Sequence, residues 1–407
     1  MAAGDLINAE VERIAAGGAG LARSGGQAVF IPYTAPGDRI RARIRREHRG
    51  WAEADLAELV EASPGRTKPR CPLYYRGPEE NRQVCGGCSL QHLDYESQLA
   101  AKVEILKEAF RRIARLPQGL PEVRVFPSPP WEYRNRVQLH RAGAAGGRFH
   151  AEGAAEEAVG FMAAKSGRVV PAEDCPVADP GIRALLGSGE LRGRAGKLGA
   201  PAGRDRFTVY SRGDLLLTGG DRGRVRIRDR DLWMDTEVFF QSNGTMLELL
   251  IGEILDLAVR GDPSLPLADL YCGVGTFAAF LAGRFPRIEL LEENPGALAL
   301  GRKNVQGGEA RFFALTDNEW VRKREAAGPY GLIIADPPRQ GLSPAMRRWL
   351  AEARAPLLLY VSCDPAALAR DSRELLEGWE LEKLDLYDFY PQTAHIECLA
   401  VFRAVSP

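Results

Sequence analysis

The sequence predicts an α/β protein: a C-terminal Rossmann-like doubly wound sheet, preceded by a small N-terminal β-barrel and a central α+β region. Three observations predict it. From about residue 245, apolar runs of strand length (PLADLY, RIELLE, YGLIIAD, PLLLYVSC) alternate with helical stretches, the pattern of a parallel sheet with helices on both faces. The segment ADLYCGVGTFAAFLAG reads as strand, glycine turn and helix. Residues 1–62 instead alternate short β-like runs with glycine-rich turns such as AAGGAG and SGG, which suits a small barrel. The expected divisions are 1–62, 63–240 and 241–407.

The bulk numbers agree with this frame. With 407 residues, 45% hydrophobic, 27% charged and zero net charge, the chain is an ordinary globular protein of two or three domains. No apolar run approaches the roughly 20 residues needed to cross a bilayer. The opening MAAGDLINAEVERI lacks the basic flank and apolar stretch of a signal peptide, so a cytoplasmic protein without membrane attachment is expected. Seven cysteines in that compartment point to metal binding or catalysis rather than disulfides.

In the N-terminal part, Arg39, Arg41, Arg43 and Arg45 alternate with Ile40, Ala42 and Ile44. On a strand this puts four guanidinium groups on one face. Two readings stand: a charged edge strand that resists aggregation, or a strip that tracks phosphates. SPGRTKPR reads as a linker. Leu99, Val103, Leu106, Phe110 and Ile113 recur at helical spacing from near Tyr95. Residues 120–240 are β-like, with glycine- and alanine-heavy insertions around 142–158 and 186–204. VRIRDRD repeats the arginine alternation at Arg224, Arg226, Arg228 and Arg230, and in WEYRNRVQLH the aromatic Trp131 and Tyr133 are either core residues or part of a surface of interleaved cations and aromatics.

Gly273 and Gly275 let the backbone turn tightly against a ligand at a helix N-terminus. About 20 residues on, a second strand ends in Glu292, where a carboxylate can bind ribose hydroxyls; Glu293 is the adjacent competitor. A pyrophosphate-binding dinucleotide fold is the rival. Against it, the third glycine is missing from GVGTFA, and Asp269 just before the loop suits a cationic ligand such as S-adenosylmethionine better than a phosphate.

DLYCGVGTF, together with FFQSN, DPPRQGL, SCDPAALARD and QTAHIEC, resembles the RNA (uracil-5-)-methyltransferase family, whose members modify tRNA or large-subunit rRNA. The motifs stand in the family's order over essentially the whole chain, and residues 1–62 resemble the family's TRAM barrel. The resemblance implies a class I methyltransferase domain and S-adenosyl-L-methionine contacts from Gln241, Tyr271, Thr276, Glu292 and Asp336, with Asp317 added from a looser local match. It implies a structured RNA substrate, rRNA or tRNA; no obligate protein partner is inferred.

Carbon 5 of uracil is a poor nucleophile, and adding a thiolate at carbon 6 activates it. Cys363 ends the strand LLLYVSC and is followed by Asp364 and Pro365, suited to N-cap and first helical positions. The helix N-terminus is expected to lower the thiol's pKa. Glu397 matches the family's general base; read without the resemblance, it is a surface carboxylate on a late strand. His395 is read as structural. Arg339 stands where amine-methylating enzymes carry an aromatic residue after Asp-Pro-Pro, which counts against an exocyclic-amine methyltransferase. A non-catalytic iron–sulfur RNA-binding protein is the other alternative, and retention of both Cys363 and Glu397 counts against it.

Cys85-Gly86-Gly87-Cys88 is a tight turn that aims two sulfurs at one ion, and Cys71 and Cys175 can complete a four-sulfur site. By chemistry alone, zinc and iron–sulfur stand level. Because CGGCSLQH resembles the family's cluster segment, the resemblance implies a [4Fe–4S] cluster. Thirteen residues separate Cys71 from Cys85, more than the family's usual spacing, so LYYRGPEENRQV reads as an inserted loop and Cys71 as the outlying ligand.

Overall fold

The computed structural model describes residues 1–78, 84–116, 119–142, 158–164, 166–191, 206–323 and 328–405. The tip of the LYYRGPEENRQV loop and most of the two glycine- and alanine-heavy insertions lie outside them. Five strands come first: β1 (Leu6–Ile14), β2 (Gly20–Ser24), β3 (Gln27–Ile31), β4 (Arg39–His48) and β5 (Trp51–Glu61). Helix α1 (Tyr95–Ala109) continues into a π turn (Phe110–Ala114) and then the short strand β6 (Val123–Phe126). There follow β7 (Arg136–Arg141), β8 (Val159–Met162), β9 (Val169–Pro171), α2 (Pro180–Ser188), β10 (Arg206–Arg212), β11 (Leu215–Thr218), β12 (Arg222–Ile227) and β13 (Arg230–Asp235). The C-terminal elements are α3 (Gly244–Ala258), β14 (Leu267–Leu270), α4 (Thr276–Leu281), β15 (Arg287–Leu291), α5 (Pro295–Asn304), β16 (Glu309–Phe313) and α6 (Asp317–Arg322). They continue with β17 (Leu332–Ala335), α7 (Pro344–Ala351), β18 (Leu357–Ser362), α8 (Pro365–Leu375), β19 (Trp379–Tyr387) and β20 (Glu397–Ala404).

The chain forms two compact units. The first holds Met1–Ile105, Pro129–Gly219 and the short segment Tyr390–His395; the second holds Leu106–Ser128, Gly220–Phe389 and Ile396–Pro407.

In the first unit β1–β5 close into a barrel in the order β1-β2-β3-β5-β4. Its core is small and branched: Val11, Ala22, Val29, Ile31, Ile40, Ala42, Ile44, Ala52, Ala54 and Leu56. The arginine alternation of β4 is present, with Arg39, Arg41, Arg43 and Arg45 outward and Ile40, Ala42 and Ile44 inward. The edge-strand reading is corrected, because β4 is bonded to β1 on one side and β5 on the other. Neighbouring strands also supply counter-charges. Arg39 pairs with Glu10 and Glu61, Arg41 with Glu58, and Arg45 with Glu53 and Asp55. A second sheet, β11-β10-β7-β8-β9, packs its apolar side with Ile182, Leu185 and Leu186 of α2. Tyr133 is buried and donates from its hydroxyl to Pro391 O at 2.8 Å, a core role. Trp131 is half-buried under the Arg70 guanidinium.

In the second unit eight strands run in the order β16-β15-β14-β17-β18-β20-β19-β6. β14, β17 and β18 are buried along their whole length, as strands covered on both faces must be. Two features depart from the expected parallel sheet. β20 is antiparallel to both β18 and β19. β6, from much earlier in the chain, adds parallel to β19, with Phe126 stacked on Tyr387 at 4.4 Å. The second arginine run is also corrected. VRIRDRD is a hairpin closed by the pair Ile227↔Arg230, and Arg228 sits in its turn at φ 51°, so the four arginines do not share one strand face. Among the described residues no helix is long and apolar enough to cross a membrane.

Candidate active site and cysteine site

In the second unit the expected site residues converge on the carboxyl ends of β14, β15, β17 and β18. This is where ligands sit in such sheets, at the point where strand order reverses around β14. The loop after β14 is held by unusual backbone: Tyr271, Gly273 and Gly275 all have positive φ (61°, 55° and 74°). At Gly275 a Cβ would stand 3.0 Å from Val305 Cγ2, so the glycine is required twice over. Gly275 precedes Thr276, the first residue of α4, and Asn304 Nδ2 donates to Val274 O at 2.9 Å to brace the turn.

Glu292, at the end of β15, is half-buried while Glu293 is exposed. Its carboxylate accepts from Gly273 N (3.0 Å) and Asn294 N (2.8 Å), which aims it across the loop. Asp317 starts α6 and accepts from the Tyr271 hydroxyl (2.8 Å) and from Ser343 N (3.2 Å). It therefore joins the glycine loop to the segment after β17. Gln241 lies just before the N-cap Asn243 of α3, and its Oε1 is buried with no hydrogen-bond partner among the described residues.

Negative charge concentrates here. Asp269 is fully buried; burial pushes its carboxyl up to about 7, with Asp336 and Glu292 adding to the rise against a hydrogen bond from Ala278 N. Its Oδ1 also lacks a partner among the described residues. Asp336, after β17, is likewise pushed up to about 7 by burial and by Glu292. Two orphaned polar oxygens and mutually repelling carboxylates fit a ligand that brings positive charge and hydrogen-bond donors, as the sulfonium and ammonium groups of S-adenosylmethionine do.

β18 pairs with β20 antiparallel and ends at Ser362↔Cys398. Carried one residue further, that register sets Cys363 opposite Glu397. Asp364 caps α8, accepting from Ala367 N at 2.8 Å, with Pro365 first in the helix, as expected. The expected lowering of the Cys363 pKa is corrected. The thiol is pushed up to about 12 by burial, then by Glu397 and Asp336, with Arg339 opposing. The helix N-terminus is already taken by the Asp364 carboxylate, which itself adds to the rise. Glu397 is corrected too: at 3% exposure it is a buried residue, not a surface one. Burial and Asp336 hold its carboxyl well above the usual range, while Arg339 opposes.

One residue escaped the sequence reading. Asp371, the last letter of SCDPAALARD, is fully buried and accepts from the Tyr360 hydroxyl (2.7 Å) and Leu342 N (2.8 Å). It also pairs with Arg347 and Arg370, and Arg370 reaches Gln340 O at 2.7 Å. The loop that carries Asp336 and Arg339 is thus tied to β18 and α8. A buried acid closing a tetrad of this kind shows no periodicity in sequence.

In the first unit Cys71, Cys85, Cys88 and Cys175 line one cavity of about 330 Å³. All four are free thiols. The long spacing does not displace Cys71, whose N–H donates to Gln91 Oε1 at 3.1 Å. At Gly86 a Cβ would come within 3.0 Å of the Ala164 backbone, so the CGGC turn needs its glycine. Burial pushes Cys85 up to about 12 and Cys175 up to about 11, and each thiol raises others. Such crowding is relieved by a cationic centre that takes the sulfurs as thiolates. Among the described residues no group of three or more His, Cys, Asp or Glu is arranged to hold a metal ion; the four thiols face a space of larger dimensions.

Two family models match separate parts of this chain. A family model described as tRNA (Uracil-5-)-methyltransferase matches residues 327–404, and one for the TRAM domain of tRNA (uracil(54)-C(5))-methyltransferase matches residues 7–64. An uncharacterized RNA methyltransferase of Treponema denticola is 32% identical, over 93% of this chain and 94% of its own. The 23S rRNA (uracil(1939)-C(5))-methyltransferase RlmD of Chromohalobacter salexigens is 30% identical, over 98% of this chain and 89% of its own. The chain belongs to the RNA uracil-C5 methyltransferase family. It is therefore an S-adenosylmethionine-dependent enzyme that acts on RNA. A likeness in fold extends over the whole chain. The structure of Pyrococcus abyssi tRNA (uracil-54, C5)-methyltransferase with S-adenosyl-L-homocysteine gives a TM-score of 0.69 at 23% identity, covering 97% of this chain and 100% of that one.

Proposed function

We propose that this enzyme methylates carbon 5 of a specific uridine in rRNA or tRNA, with Cys363 as nucleophile and Glu397 as general base. The observation that carries the reading is the strand register that sets Cys363 opposite Glu397 at the mouth of an anionic crevice. S-adenosylmethionine, when bound, supplies an electrophilic methyl on a positively charged sulfur. Gln241, Tyr271, Gly273, Gly275, Thr276, Glu292, Asp317 and Asp336 are the residues that would hold it. Gln241 and Asp336 would offer acceptors, Glu292 would take ribose hydroxyls, and Asp317 would act by fixing Tyr271.

The Cys363 thiolate adds to carbon 6 of the uracil and moves electron density onto carbon 5, which takes the methyl. Glu397 then removes the carbon-5 proton, the double bond re-forms, and the carbon 6–sulfur bond breaks to return the thiolate. Burial first, with Asp336 adding to it, raises both Cys363 and Glu397, and a positive charge near Asp336 would oppose that rise. The base is reached only unstacked, as in RNA loops.

In the first unit, Cys71, Cys85, Cys88 and Cys175 would hold a [4Fe–4S] cluster. Four free thiols around one cavity larger than an ion match a cluster that brings its own sulfides. No step of methyl transfer needs an electron, so its place is structural.

The test of the base is Glu397→Gln. Turnover falls by about 10²–10⁴-fold, while the RNA is methylated once and stays bound through sulfur. A protein–RNA band then survives denaturing electrophoresis and carries labelled methyl, and Cys363→Ala in the same chain removes it. Turnover at the parent rate, or a stall before methyl transfer, sinks the assignment.

A further inference from the structure

The β12–β13 hairpin of the second unit leaves one of its arginines without a counter-charge. On one face of the hairpin, arginines of β12 stand directly opposite residues of β13: Arg222↔Asp235, Arg224↔Trp233 and Arg226↔Asp231. The outer two are ion pairs, at 2.7 and 3.3 Å. The middle arginine meets an indole instead. Its guanidinium lies over the Trp233 ring, 5.5 Å from the centroid. A second cation shares that ring: Lys303, in the last turn of α5, holds its Nζ 5.1 Å from the same centroid. Arg224 and Lys303 are both exposed, and among the described residues neither makes an ion pair.

Folding alone does not account for this pair. A lysine in the last turn of a helix answers the helix dipole, but Arg302 already stands in that turn. One cation over a tryptophan is a favourable contact. A second brought to the same ring sets like charges against each other, where both neighbouring arginines were given an aspartate. The arrangement is also held firmly. Asn304, next to Lys303, accepts from Trp233 N–H at 2.7 Å and donates to Trp233 O at 3.0 Å and to Val274 O at 2.9 Å. The backbone of Trp233, the end of α5 and the glycine loop are therefore tied together. An anion that binds two cations fixed in this way loses little freedom in ordering them. A phosphodiester suits both: the guanidinium fork can take two of its oxygens, and the ammonium adds a compact charge.

We propose that Arg224 and Lys303 form a binding site for a backbone phosphate of the substrate RNA, with Trp233 as the platform that holds both cations. All three residues belong to the second unit. The site fixes the RNA backbone and reads no sequence. The inference rests on RNA being the substrate, and on neither Cys363 nor Glu397.

The experiment compares the full-length parent, purified anaerobically, with Arg224→Ala, Lys303→Ala and the double variant. A control removes two paired cations of the same unit, Arg226→Ala with Arg311→Ala. The substrates are labelled S-adenosylmethionine and total RNA from cells lacking this gene, and kcat and KM for RNA are measured between about 50 and 200 mM salt. In the double variant KM at low salt rises about tenfold with kcat unchanged, as a loss of uniform binding requires. The slope of log kcat/KM against log salt becomes shallower by about one unit. Each single variant shows part of both effects, while the control stays within about twofold of the parent. An unchanged KM and slope in the double variant overturn the proposal. Equal losses in the double variant and the control reduce it to net charge, and weakened S-adenosylmethionine binding reduces it to damage of the glycine loop; either result overturns it. If the double variant does not fold, Arg224→Ala decides by the same criteria. If the parent places no methyl on this RNA, the proposed substrate falls and takes this site with it, whereas parent turnover with no change in the variants overturns the site alone.

Discussion

Cys85 in the first unit and Cys363 in the second are both pushed up to about 12, and in both burial is the first cause. The neighbours differ. Cys85 is raised further by Cys175 and Cys71 around a shared cavity, whereas Cys363 is raised by the carboxylates Glu397 and Asp336, with Arg339 opposing. Thiols crowded on thiols call for a centre that takes them all as ligands. A single thiol among acids, the nucleophile of the proposed reaction, would be eased towards ionisation by a nearby positive charge. Burial alone therefore assigns no role to a cysteine; the charges around it do.

The largest expected effects come from damaging one cysteine site and reading the other. Cys363→Ala lowers methyl transfer on the order of 10⁴-fold or more, yet leaves iron content, sulfide and cofactor affinity as in the parent, checked by single-turnover methylation, elemental analysis and calorimetry. A variant that retains substantial turnover means that carbon 5 is activated in another way. In the opposite direction, Cys88→Ser strips iron and sulfide from anaerobically purified protein and lowers the melting temperature by several degrees, at about 2–4 °C for each kcal/mol in a unit of this size. Its affinity for S-adenosylmethionine is unchanged. Stoichiometric zinc without sulfide in the parent would overturn the cluster.

A smaller effect tests the anionic crevice. Asp269 and Asp336 are raised to about 7 from an ordinary 3.8. A carboxyl raised on folding contributes stability that is complete below its unfolded pKa and is lost as pH climbs through the folded one. The ligand-free protein therefore loses stability between about pH 4 and 7, and the cation gains affinity over the upper part of that window. Calorimetry should find S-adenosylmethionine binding about tenfold tighter at pH 8 than at pH 6. S-adenosylhomocysteine, without the sulfonium charge, should change less; equal changes would show that the sulfonium is not what the acids recognise.

The smallest effect belongs to the barrel. Reversing Arg41 and Arg43 to Glu weakens RNA binding and flattens its salt dependence by about one unit or less for each phosphate no longer neutralised, with cofactor affinity unmoved. The loss of affinity is limited because Arg41 already pairs with Glu58 and Arg43 donates to Gly4 O. Unchanged affinity at low salt would mean that the face is neutralised within the barrel and takes no part in RNA contact.

Much of this molecule was legible in one dimension. Residue alternation in β4 determined which atoms face the barrel core, because a strand repeats every two residues whatever surrounds it. The spacing of ADLYCGVGTF determined a glycine turn at a helix start, because only glycine tolerates those backbone angles without strain. Asp364 and Pro365 read correctly as cap and first helical residue, with Cys363 one residue past the end of β18, since capping is local chemistry. Left to the folded chain is everything that depends on who stands next to whom. β6 joins a sheet whose other strands begin far later in the chain. β20 runs against its neighbours, and its register with β18, carried one residue past Ser362↔Cys398, sets Glu397 opposite Cys363. Asp371 closes a tetrad beneath the loop of Asp336, and β4, charged like an edge, is enclosed on both sides. The direction of the Cys363 pKa followed the same rule. The helix end visible in sequence favours a thiolate, but burial first, and then Glu397 and Asp336 brought in by the fold, raise the thiol against the opposing Arg339.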